Sequence, residues 1–314
     1  MSGVPQADIE RAVLIAEPTF FLDESRRLRT VWRFLIFGAG FVIAQLAIGI
    51  VGGIVGAVWL IVTQGPEAFN DLELVEAQLE QYTPHIMVVA SLPTTAVMLA
   101  WVIICRKYLD RRSVASMGIV RPGMRSVIVG FLVGLLPIVA AGGVVAAAGG
   151  FSVTGIGFST IAGFLVPTLI LMAFMEEVIF RSYLLQNLLD IRRPVFGVIF
   201  TSLFFWFAHA LNPHVWSSVI IPVNMFGAGV ILALAYMLSR NIWFPTALHF
   251  GWNLAQGVLL SLPISGMTVE GLIQLQTNDA APVWLTGGKF GLEGSVAVTV
   301  AELLMICGLV LLVR

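Results

Sequence analysis

Charge is scarce in this chain. Only 11% of its 314 residues are Asp, Glu, Lys or Arg, and 58% are hydrophobic, against about 25% and about 45–50% in soluble domains. That balance excludes an ordinary soluble globule and leaves an integral membrane protein. Cysteine is scarce too: Cys105 and Cys307 are the only two, both in apolar segments, so no disulfide framework or CxxC metal site is available. Both read as small packing residues. No extramembrane stretch is long enough for a second domain, and no nucleic-acid partner is expected. An internal repeat of roughly 20–50 residues is missing as well, which removes support for a transporter built from evident parallel repeats.

What is present is a series of apolar runs, at 33–62, 85–105, 126–148, 160–189, 195–211, 218–238, 242–262 and 294–313. Each is near or above the ~20 residues that cross hydrocarbon, with 195–211 the shortest. The first is too long for a cleaved signal, and no small-residue cleavage site follows it. Basic residues alternate between the ends of these runs. Arg11, Arg26, Arg27, Arg29 and Arg33 precede or open the first, while the next loop carries Glu67, Asp71, Glu73, Glu76 and Glu80 and no base. "RKYLDRR" to Arg125 is basic again, and Arg192, Arg193, Arg240 and Arg314 mark further alternate ends, with Lys289 the exception. The positive-inside rule then predicts an all-α polytopic bundle of about eight spans with both termini cytoplasmic. Residues 1–32 form a basic cytoplasmic segment, in which "FFLDESRRLR" reads as a tail rather than a surface helix. Two N-terminal helices follow at 33–105, a core at 106–262, an extracytoplasmic loop at 263–293, and a last helix at 294–314. Gly49/Gly53, Gly52/Gly56 and Gly130/Gly134 have small-xxx-small spacing, read as packing inside one chain ahead of dimerisation.

The few charges within the spans carry the chemistry, because an ionisable group at membrane depth persists only where it is paired, wetted or used. In "MEEVIFR", Glu177 and Arg181 are i and i+4 on one face, while Glu176 points ~100° away. Arg181 can neutralise Glu177 and leave Glu176 directed elsewhere. Counting ~1.5 Å per residue from the basic ends, Glu176 and His209 lie at similar depth, ~24 Å in, whereas His249 comes out shallower at ~14 Å. A helix break at Pro245 or a tilt would reconcile them. Asn253 shares a face with His249. Together Glu176, His209, His249 and Asn253 amount to a general base, a second base or ligand, and carbonyl-polarising donors. Each taken singly is more often a satisfied polar core residue; their joint occurrence on three spans is the signal. His85 and His214 read as interfacial loop ends. Glu302, in the last run, is a further ionisable group that reads as outside the site more readily than as part of it.

Three spaced motifs, "EEVIFR" (Glu176, Glu177, Arg181), "FWFAH" (Phe205, His209) and "HFGWN" (His249, Asn253), resemble in order the EExxxR, FxxxH and HxxxN pattern of the CPBP intramembrane proteases. That family includes type II CAAX prenyl endopeptidases and bacteriocin-processing and immunity proteins. "RSVASMGIVRP" at 112–122 is similar to the family's basic loop, and the resemblance spans about 112–262. It implies proteolysis within the membrane, of a peptide or lipid-modified protein presented from the lipid, with Glu176, His209, His249 and Asn253 catalytic and Glu177, Arg181 and Phe205 supporting them. The family is often labelled metalloprotease, and Glu176, His209 and His249 would be the zinc ligands. HExxH, with two ligands one turn apart, is absent, so a metal-free glutamate mechanism is favoured. A non-proteolytic immunity or scaffold protein and a proton-coupled transporter stay open as other classes. A bacterial plasma membrane is the expected location.

Overall fold

A computed structural model describes residues 19–25, 27–157 and 160–313. Arg11, Arg26, Arg314 and most of the 1–32 segment lie outside the described residues, as does the Glu80 side chain. The chain is a helix bundle: α1 (Thr30–Gln64), α2 (Leu72–Ile104), α3 (Met124–Ala147), α4 (Thr160–Glu177), α5 (Gln186–Asp190), α6 (Pro194–Ala208), α7 (Ile220–Ser239), α8 (Trp243–Asn253), α9 (Val283–Thr286) and α10 (Val296–Val313). Among the described residues six helical stretches are long and apolar enough to cross a membrane. They cover the expected runs except two. α6 has 15 residues, and α8 runs on through a π-helix at Leu254–Leu259 without reaching the length of a full span.

Local sequence accounts for the boundaries. Asp71 caps α2 by accepting from the Leu74 amide at 3.0 Å, so this helix starts thirteen residues before the apolar run and takes in Glu73, Glu76 and His85. His85 is therefore mid-helix, where its ring lies 5.7 Å from that of Tyr82, and not at a loop end. Asn241 Oδ1 accepts from the amides of Trp243 and Phe244 at 3.0 and 3.2 Å. That cap, with Arg240 in the left-handed region at φ 53°, turns the chain from α7 into α8 within three residues. Pro245 causes no break, since it lies in the first turn of α8 where amides have no intrahelical acceptor.

The expected all-α architecture holds except for one small sheet. β1 (Phe151–Ile156) and β2 (Ile273–Thr277) pair antiparallel, with an irregularity between Val153 and Gly155. This ties the 263–295 strap to the end of α3. The glycine pairs divide cleanly. A Cβ on Gly130 would lie 2.6 Å from the Phe244 carbonyl, and one on Gly134 or Gly251 would collide with the facing backbone at Leu248 or Phe131. α3 and α8 therefore touch backbone to backbone, which is packing inside one chain. Gly49, Gly52, Gly53 and Gly56 on α1 face nothing within 4 Å.

Polar residues at the α1 entrance, which positive-inside counting treats as surface charge, form a buried cluster. Asp110 accepts from Arg33 at 2.7 Å, Arg106 at 3.0 Å and Asn187 at 2.9 Å. Asp190 receives Arg112 at 2.8 Å and Arg106 at 3.4 Å. The basic loop is thus a clasp joining α1, the 105–116 turn and α5.

Candidate active site

The site forms where α4, α6 and α8 meet. α4 stops being α-helical right after Glu177 and continues as a π-helix over Val178–Leu185, and α8 makes the same change right after Asn253. Wide i→i+5 turns of this kind are rare and cluster at functional sites. Glu177 and Arg181 pair as their spacing predicts: Arg181 Nη1 donates to Glu177 Oε1 at 3.0 Å, and Nη2 donates to the Gly229 carbonyl at 3.3 Å. The guanidinium also lies 4.6 Å from the centre of the Phe205 ring, a favourable cation–π distance. Phe205 in turn packs on His209 at 4.6 Å and edge-on to His249 at 6.0 Å between ring centres. One aromatic side chain thus spaces the buried cation from both imidazoles.

Each histidine is oriented through Nδ1. That of His209 sits 2.8 Å from the Phe205 carbonyl, which only accepts, so this nitrogen carries hydrogen. That of His249 sits 3.0 Å from Glu177 Oε1. Glu177 therefore serves His249 as well as Arg181, a bond that spacing alone does not reveal. Both Nε2 atoms then face Glu176 Oε2, each at 3.9 Å. That oxygen is buried and has no hydrogen-bond partner, a costly state unless something else is bound there. The apparent depth mismatch of His249 vanishes in this meeting, because counting residues assumes parallel helices that end on one plane.

His209, His249, Asn253 and Phe205 line a small cleft, together with Trp252, Ser265 and Glu293. Glu293 and Ser265 come from the strap, outside every recognised motif. Glu302 is buried against Gly227 between α7 and α10 and does not line the cleft, and His214 stays in the exposed turn after α6.

The spacing tests what the donors can hold. With bonds of ~2.0–2.1 Å, one zinc ion shared by an oxygen and a nitrogen 3.9 Å apart would need a ligand angle of ~140°, far from the ~109° of a tetrahedron. Among the described residues no three His, Cys, Asp or Glu side chains are spaced for a metal ion. A water oxygen ~2.8 Å from both atoms of the same 3.9 Å pair needs an angle of ~90°, which its hydrogen bonding tolerates. The side chains fit a water and do not fit zinc.

Two carboxylates, Glu176 and Glu177, thus meet two oriented imidazoles, and those imidazoles line the cleft together with the Asn253 amide. Residues 158–255 match the family described as type II CAAX prenyl endopeptidase, Rce1-like. The matched segment holds all seven motif residues and ends before the strap. No curated protein and no solved structure matches the chain.

Proposed function

We propose that the protein is an intramembrane glutamate endopeptidase acting on a prenylated or otherwise membrane-associated peptide. The observation that carries this reading is the convergence of both Nε2 atoms on the unpartnered Oε2 of Glu176. In this mechanism a water bound between Glu176 and His209 gives its proton to Glu176 while its oxygen bonds to the scissile carbonyl carbon. The carbonyl electron pair moves onto oxygen, where the Asn253 amide and the His249 Nε2–H stabilise it. His249 donates there in its doubly protonated form, with the Glu177 carboxylate facing that charge from the Nδ1 side. Collapse of the tetrahedral intermediate breaks the C–N bond, and the proton held by Glu176 passes to the leaving amine. A buried, apolar-walled site strengthens each of these electrostatic contacts.

The test is mass-spectrometric profiling of peptides in membranes expressing the wild type against Glu176→Gln. Fragments present only with the wild type support the reading; identical profiles remove it. Purified enzyme is expected to keep its activity after exhaustive chelation. Activity lost with one bound zinc per chain, and restored by adding it back, would replace the glutamate mechanism with a metal one.

A further inference from the structure

The outer wall of the cleft is built by residues beyond the family-matched segment. Glu293 is 4% exposed, and its carboxylate is fully engaged. Oε1 accepts from Trp252 Nε1 at 3.2 Å, and Oε2 accepts from the Ser265 amide at 2.7 Å and the Ser265 hydroxyl at 3.0 Å. The main chain around it is held too. Asn224 on α7 donates to the carbonyls of Glu293 and Ser295 at 2.7 and 3.0 Å. Asn212, in the turn after His209, donates to the Ser265 carbonyl at 3.0 Å, and Gln256 donates to that of Pro263. The two ends of the strap are therefore fastened to α7, to the α8 π-helix and to the His209 turn. A carboxylate is an expensive choice for such a place. Burial pushes the Glu293 carboxyl above its usual range, and the Ser265 donors offset only part of that. An apolar side chain would fill the volume without this cost, but it would not gather an indole and a loop amide onto one residue.

We propose that Glu293 is a positioning residue: it latches the strap to Trp252, one residue before Asn253, and so fixes the outer wall on which the substrate chain is seated. The proposal rests on the proteolytic reading above. The reacting groups are oriented separately, by the Phe205 carbonyl and by Glu177, so loss of the latch loosens the seat and leaves the chemistry in place.

Glu293→Gln keeps the side chain's shape but sets an amide donor against donors, and Trp252→Phe removes one of the partners. In the full-length chain, with a peptide whose cleavage depends on Glu176, each variant is expected to raise KM about 10-fold with kcat within about 3-fold, and the double variant to do no worse than Glu293→Gln alone. A fall in kcat at unchanged KM marks loss of folded enzyme and overturns the proposal, as does additivity in the double variant. Hydrogen–deuterium exchange of the Ser265 amide reads the latch without any activity, and is expected to quicken about 10-fold or more in Glu293→Gln. Should no Glu176-dependent cleavage exist, quickened exchange keeps the latch and removes only the proteolytic reading. Unchanged exchange removes the latch whatever the activity.

Discussion

Two groups of charges are buried in this bundle, and they are finished differently. Around Asp110, two arginines and an asparagine fill both carboxylate oxygens, so the cluster offers nothing to a ligand and fastens α1 to the core. Around Glu176, an imidazole nitrogen of each histidine stands one water's breadth from an oxygen that nothing satisfies. Glu177 belongs to both patterns: its Oε1 is saturated by Arg181 and His249 while its Oε2 has no partner. Burial of charge therefore does not mark a site by itself. An unfilled acceptor faced by two imidazole nitrogens does, because its geometry leaves room for a water that completes all three.

This contrast breaks if the two clusters respond alike to substitution. The largest effect is expected from Glu176→Gln, with turnover falling about 10²–10⁴-fold while abundance and thermal midpoint stay at wild-type values. An equal loss of stability would move Glu176 into the structural group. Asp110→Ala is the mirror case: stranding Arg33 and Arg106 is expected to cost about 3–5 kcal/mol, measured by chemical unfolding in detergent, with kcat per folded molecule unchanged. Asn253→Ala is expected to slow the chemical step about 10²–10³-fold, as for an oxyanion donor, in single-turnover assays. Smaller still is the difference between the two glycine stripes. Gly134→Ala forces apart α3 and α8 and is expected to cost about 1–3 kcal/mol, whereas Gly53→Ala, with open space around it, is expected to be neutral or slightly stabilising. Equal costs would mean that the exposed α1 stripe is packed in the membrane after all.

Much of the site is legible from spacing alone. Glu177 and Arg181 at i and i+4 predict their ion pair, and the scarcity of other intramembrane charge points to Glu176, His209 and His249, which the structure brings together. Three features are not legible. The bond from Glu177 to His249 joins residues 72 positions apart and depends on how α4 and α8 cross. The two π-helices that flank the site, after Glu177 and after Asn253, lie in sequence that scans as ordinary helix. Glu293 sits in a stretch rich in Gly, Thr and Pro whose composition predicts a solvated loop, and only its fold-back against Trp252 and Ser265 gives it a role. The start of α2 lies ahead of its apolar run for a simpler reason: apolar runs locate hydrocarbon, and a capped helix can extend well into the polar region beyond it.

The shortness of α6 has a consequence for the lipid itself. Fifteen residues reach only ~22 Å, against a hydrocarbon layer of ~30 Å. A bilayer meeting so short a helix adjusts by thinning or by admitting polar groups beneath its headgroups. His209 stands at the end of α6, so under the proposed proteolytic reading a bilayer thinned beside α6 would shorten the path of the hydrolytic water to the site.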